Sequence, residues 1–186
     1  MMQGLASNIV LALAATVLLL QGCADTGSGS LIAEDRRSSG TYVDDQGIEL
    51  KAGNRISEKF PDAHVNVTSF NRVALLTGEV PTAAVKVDVG RVVEGVAGVR
   101  VVQNELVIGP ASSTTAQSAD SYITSKVKTR FIEQAKFQVN HVKVVTEAGI
   151  VYLMGLVTRK EAADAAQIAA TTNGVTRVVQ VFEYTD

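Results

Sequence analysis

The chain is short of most of the side chains that carry chemistry. Among 186 residues there are one cysteine, two histidines, three prolines and no tryptophan. A single cysteine, Cys23, excludes an intramolecular disulfide. His64 and His141 stand 77 residues apart (141 − 64), each just before a strand-like run, with no cysteine or carboxylate cluster at ligand spacing. They read as structural residues, and neither a metal site nor a cofactor is expected. The G-x-S-x-G pattern of a nucleophile elbow is missing, as are G-x-x-x-x-G-K-[ST] and G-x-G-x-x-G phosphate loops. Gly78, Gly98, Gly155 and Gly174 fall singly, one at each structural joint. An enzyme is therefore not expected. With 17 basic and 19 acidic residues, the chain also lacks the cationic excess that nucleic acid selects.

The chain does contain a repeat. Residues 142–163, VKVVTEAGIVYLMGLVTRKEAA, read as strand, tight turn, strand, glycine and helix start. Residues 65–84, VNVTSFNRVALLTGEVPTAA, have the same pattern. Val65, Val67, Val73, Leu75, Gly78 and Val80 answer to Val142, Val144, Ile150, Tyr152, Gly155 and Val157 at a constant offset of 77 (142 − 65). Two copies of one small α/β unit follow. Units of this size have small cores, so packing of one copy on the other is a natural expectation.

The N-terminus holds the one long apolar run, residues 9–20, IVLALAATVLLL. Its 12 residues are short of the ~20 needed to span a bilayer and suit the core of a signal peptide. Leu20-Gln21-Gly22-Cys23 follows at once and resembles the bacterial lipobox. That resemblance implies cleavage after residue 22 and acylation of Cys23. Ala24, not Asp, follows the cysteine, which favours the outer membrane under enterobacterial-type sorting. Residues 23–45 are rich in Ser, Gly, Asp and Thr without apolar period, and are expected to form a flexible tether.

The first domain is expected at residues 46–109. Asp44 and Asp45 are potential helix caps. Ile48, Ala52, Ile56 and Phe60 then fall four apart, on one face. Strands over about 64–70 and 73–80 meet at Asn71-Arg72, Pro81 opens a second helix, and a last strand covers 99–108. Residues 110–117 form a small-residue linker. The second domain, 118–186, is expected to begin with a helix capped by Ser118, Asp120 or Ser121. Ile123, Val127 and Phe131 make its buried stripe, and Tyr122, Lys126 and Arg130 the adjacent one. Ala148-Gly149 marks a hairpin turn, and Thr158 with Glu161 a capping box. The basic stripe with its tyrosine suits a membrane surface, where phosphate headgroups attract each cation by roughly 1 kcal/mol. An ordinary solvated helix face is the other reading.

These residues also resemble a known family. The strand–glycine–helix unit with its late Gly-Val strand start is similar to the BON domain. Two copies behind a lipobox are similar to the dual-BON outer-membrane lipoproteins, through LLLQGC (18–23), GTYVDD (40–45), VNVT (65–68), YITSKV (122–127) and VYLMGLVTRKEA (151–162). The resemblance implies an α+β fold of two αββαβ domains, each a three-stranded mixed sheet on two helices. It implies attachment at the periplasmic face of the outer membrane through an acyl anchor on Cys23. It further implies binding of anionic, phosphatidylglycerol-like phospholipid by the first helix of the second domain, at Tyr122, Ile123, Lys126, Val127 and Arg130. In such proteins this binding accompanies support of envelope integrity near division sites. Tyr122 stands where that helix typically carries Trp. An adaptor for outer-membrane assembly proteins or cell-wall enzymes is the rival expectation.

Overall fold

A computed structural model of the protein describes residues 35–186; the signal peptide, Cys23 and most of the expected tether lie outside the described residues. Among the described residues no helix is long and apolar enough to cross a membrane.

The first domain is α1 (Ser39–Lys59), β1 (His64–Phe70), β2 (Val73–Val80), α2 (Ala83–Glu94), β3 (Val101–Asn104) and β4 (Val107–Ile108). The second is α3 (Thr114–Gln134), a 3-10 turn at Val139–His141, β5 (Val142–Glu147), β6 (Ile150–Val157), α4 (Arg159–Ala170) and β7 (Arg177–Tyr184). In each, an antiparallel hairpin is followed by a helical crossover and a parallel strand, giving the mixed sheets β1-β2-β3/β4 and β5-β6-β7. The expected order α-β-β-α-β is what the structure shows.

Both long helices start earlier than expected. Ser38, not Asp44 or Asp45, caps α1 by accepting from the Thr41 amide at 3.1 Å. Ser113, not Ser118, Asp120 or Ser121, caps α3 by accepting from the Ala116 amide. The last residues assigned to tether and linker are therefore helical. Their Ser, Gly, Thr and Ala content gives no apolar period, and tertiary packing holds them. Arg37 shows how: its guanidinium lies 4.0 Å from the Phe70 ring centroid and bonds Asp35 and Asp45. Arg36 forks onto Glu161 at 2.7 and 3.0 Å.

The two aspartates expected as caps do something else. Asp45 is buried inside α1, and its carboxylate accepts from the amides of Asn71 and Arg72 and from Ser69 Oγ. Asp120 is buried inside α3 and accepts from the amides of Ala148 and Gly149, each at 2.8 Å. Each aspartate holds the tip of its domain's hairpin. Those tips have positive φ at both central residues (Asn71 50°, Arg72 64°; Ala148 50°, Gly149 74°), the type I′ geometry that two-residue hairpins favour.

The repeated glycine has an equally local cause. A Cβ on Gly78 would lie 2.2 Å from the His64 carbonyl oxygen, and one on Gly155 2.3 Å from that of His141. The two histidines are thus part of the same repeated joint. Gly78 also has φ +109°, and the final strand of the first sheet breaks beside it, at Glu105-Leu106. The expected single strand is therefore two pieces, β3 and β4, in one register on β2. Thr82 caps α2, accepting from the Val85 amide at 3.2 Å, so Pro81 precedes the cap instead of opening the helix. The Thr158–Glu161 capping box is present as expected.

Three clusters of side chains hold the fold. Ile48, Ala52 and Ile56 of α1 pack on Ala74, Leu76 and Val80 of β2. Ile123, Val127 and Phe131 of α3 pack on Val144, Val151 and Leu153. The third cluster joins the domains: Phe70, Val73 and Leu75 meet Tyr152 and Met154. The sheets thus face each other and the helices lie outside, giving helix, sheet, sheet and helix layers. Both faces of β2 and β6 are buried, which accounts for their near-continuous apolar sequences, VALLTGEV and IVYLMGLV.

Candidate functional site

The outer face of α3 differs from that of the matching helix α1. Aligning the helices on their buried stripes (Ile48, Ala52, Ile56 with Ile123, Val127, Phe131) gives an offset of 75 (123 − 48). Lys51 and Arg55 then answer to Lys126 and Arg130, so both copies keep the cations. Tyr122 answers to Gly47, and Ile132 to Ser57. The second copy alone has these two large side chains, and they are 67% and 65% exposed.

The structure divides the expected lipid-binding residues into three groups. Tyr122 projects from the helix. Lys126 lies beside it, its Nζ 5.1 Å from the Tyr122 ring centroid and donating to the Asn173 carbonyl at 2.7 Å. Ile123 and Val127, by contrast, are in the core, 8% and 0% exposed, and present nothing to a surface. Their assignment as lipid contacts is corrected: at 100° per residue they fall on the face that covers the sheet.

Arg130 has a structural partner of its own. Its Nη1 donates to the Ile168 carbonyl at 2.9 Å and to the hydroxyls of Thr172 and Thr171 at 2.9 and 3.1 Å. It therefore satisfies the carbonyl end of α4, where a cation also complements the helix dipole. Arg55 does the same in the first copy, donating to the Gly95 carbonyl at the end of α2 at 2.9 Å. A role shared by both copies belongs to the fold.

Two further surface residues lie on this helix. α3 continues to Gln134 and keeps Ile132 on the solvent side. At ten residues from Tyr122, Ile132 falls on the same outer side of the helix. Lys128 is exposed and makes no ion pair among the described residues. Phe137, just beyond, packs edge-on against Phe131 at 5.0 Å and belongs to the core.

The N-terminus of α4 forms a second polar cluster. Glu161 accepts from Arg36, from the Thr158 amide and hydroxyl, and lies 3.3 Å from His141 Nδ1. Burial pushes its carboxyl up, but the bonds from Arg36, the Thr158 amide and His141 outweigh that and hold it at about 2. Arg36, at the very start of the described chain, is thereby fastened to the second domain.

A repeated αββαβ unit, with a glycine admitting the carbonyl of the preceding histidine, defines the class. The chain belongs to the BON domain family, whose pattern matches residues 44–110 and 119–186. It is 37% identical to the outer membrane lipoprotein DolP of Haemophilus influenzae over 187 aligned residues, covering 96% of each chain. It is 32% identical to the 21 kDa hemolysin of Actinobacillus pleuropneumoniae, over 81% of this chain and 79% of that one. It is also 28% identical to the osmotically-inducible protein Y of Escherichia coli, over 81% and 78%.

Proposed function

We propose that this protein is an outer-membrane lipoprotein, held at the periplasmic face by acyl chains on Cys23, whose second domain lays the outer face of α3 on anionic phospholipid. By this reading it supports envelope integrity, concentrating where such lipid is enriched, as at division sites. The observation that carries the proposal is the pair Tyr122 and Ile132, both about two-thirds exposed on α3 and both missing from the matching helix of the first copy. A tyrosine suits the boundary between headgroup and acyl chain. Ile132 adds apolar area, and Lys126 and Lys128 supply the attraction to phosphate. Two cations at roughly 1 kcal/mol each give weak binding alone. The acyl anchor makes weak binding sufficient, because a tethered domain meets the surface at high effective concentration.

Vesicle co-sedimentation of a soluble chain beginning at Ala24 tests this. Binding to phosphatidylglycerol should exceed binding to phosphatidylcholine, weaken with salt, and fall at least tenfold in Tyr122→Glu. Equal binding to both lipids would refute it.

The rival reading, an adaptor for envelope-assembly proteins, also has an observation behind it. The first domain exposes Val43 and Leu50 on α1, and Val101, Val107 and Ile108 on its edge strand. A cross-link from β4 to a periplasmic partner, unchanged by Tyr122→Glu, would favour it.

A further inference from the structure

The two domains meet at a polar cluster as well as an apolar one. His64 opens β1 and pairs across the ladder with Glu79 at the end of β2. Glu147 ends β5 of the other domain, 83 residues from His64 (147 − 64). One potential ligand atom from each of the three lies within 4.8 Å of the other two. Both carboxylates are buried. Glu79 Oε2 accepts from the Ser112 amide at 3.0 Å and stands 2.9 Å from His64 Nδ1, while its Oε1 accepts from Ser112 Oγ. Glu147 Oε2 accepts from Asn66 Nδ2 at 2.9 Å and Thr77 Oγ1 at 3.3 Å.

Charge is the unsolved part of this arrangement. No lysine or arginine pairs with either carboxylate among the described residues; the one ion-pair partner is His64, on Glu79. Beside the cluster a crevice of about 250 Å³ opens between the domains. His64, Asn66, Gln117, Asp120, Thr124 and Glu147 line it, and its lining includes no lysine or arginine. Asp120 adds a third carboxylate, although both its oxygens are bonded to the β5–β6 turn. Buried like charges at this range disfavour one another unless a cation lies between them.

We propose that His64, Glu79 and Glu147 bind one divalent transition-metal ion of the zinc class, which ties the first domain to the second. One imidazole nitrogen and two carboxylate oxygens are a donor set for zinc or manganese; magnesium and calcium prefer oxygen alone. Three protein ligands leave the fourth position of a tetrahedral shell to water, which the crevice supplies. Neighbouring ligands of such a shell stand ~3.3 Å apart at zinc–ligand distances near 2.0 Å, within reach of side-chain rotation from the present spacing. Gln117, 3.4 Å from His64 Nε2, is placed to orient the ring. Among the described residues the site occurs once. The residue equivalent to Glu79 is Leu156 (79 + 77), and His141 turns to Glu161 instead.

The test uses the purified full-length chain in detergent, stripped with a chelator and titrated with zinc. One zinc per chain should be retained, with a rise in Tm of several degrees. Affinity should fall at least tenfold in His64→Gln and in Glu147→Gln, and stay unchanged in the exposed variant Glu58→Gln. X-ray absorption at the zinc edge of the unmutated protein should show nitrogen and oxygen neighbours only, which decides the matter even if a variant fails to fold. Absence of stoichiometric zinc, retention unchanged in Glu147→Gln, or sulfur neighbours pointing to Cys23 would each overturn the proposal.

Discussion

Single residues of similar chemistry have different functions here, and substitutions should separate them. Arg130 and Lys128 are both cations of α3, but Arg130 is spent on the end of α4 and Lys128 faces solvent. Arg130→Ala should therefore cost about 1.5–3 kcal/mol in urea unfolding, the range for hydrogen bonds from a charged donor. Lys128→Ala should leave stability within about 0.5 kcal/mol and instead flatten the salt dependence of vesicle binding. The reverse pattern would show that Arg130 is the lipid contact. Glu161 gives a prediction in pH. Its folded value of about 2 lies below the ordinary 4.5, so its stabilisation is complete above about pH 4.5 and is lost as pH falls through 2. With allowance for solvent screening at the partly exposed Arg36, it amounts to about 1–2 kcal/mol. Glu161→Gln should lower Tm at pH 7, and the difference should close between pH 4.5 and 2. A difference that persists below pH 2 would mean that the Arg36–Glu161 pair is not its source.

At the scale of elements, the hairpins are the best determined parts of the sequence and the helix starts the worst. Turn residues, the glycine two-thirds along β2 and β6, and the T-x-x-E box act on near neighbours, so local sequence reveals them. Ser38 and Ser113 cap helices whose first turns contain almost no apolar residue, and nothing local separates those turns from a linker. Asp45 and Asp120 were legible only as acids near a helix start, because the amides they hold lie 26–29 residues ahead. Removing either carboxylate leaves two turn amides without a partner. Asp120→Ala should destabilise by about 2–4 kcal/mol, judged from ~1–3 kcal/mol for each buried unsatisfied group. Hydrogen exchange should show the β5–β6 turn opening first. An undisturbed turn would mean that water replaces the carboxylate without loss. Gly155→Ala should be worse, since the added methyl meets the backbone carbonyl of His141, which cannot swing aside.

For the whole molecule, the face-to-face sheets make the two small domains of the described residues, 35–186, into one unit. The signal for this was present in the sequence as apolar runs in β2 and β6 too continuous for strands with one wet face. Partner identity was not legible, because pairing across 70 to 80 residues leaves no period. Tyr152, buried where the sheets meet, should lose about 3–5 kcal/mol on mutation to Ala. The parent should unfold in one transition, and Tyr152→Ala should split it in two if the interface is what couples the domains. The site was half legible. Tyr122, its cations and the buried stripe of Ile123 and Val127 follow from helical spacing, while the capping role of Arg130 and the exposure of Ile132 required the packing. The layered arrangement leaves α3 free on an outer face, available to the surface to which the proposed acyl anchor would hold the chain. The most direct test is paramagnetic broadening of backbone amides in the soluble chain bound to phosphatidylglycerol nanodiscs containing spin-labelled lipid. Broadening centred on Tyr122, Lys126, Lys128 and Ile132, with α1 around Leu50 unaffected, is the predicted result. Broadening centred on α1, or spread evenly over both domains, would contradict the assignment of α3 as the membrane-facing element.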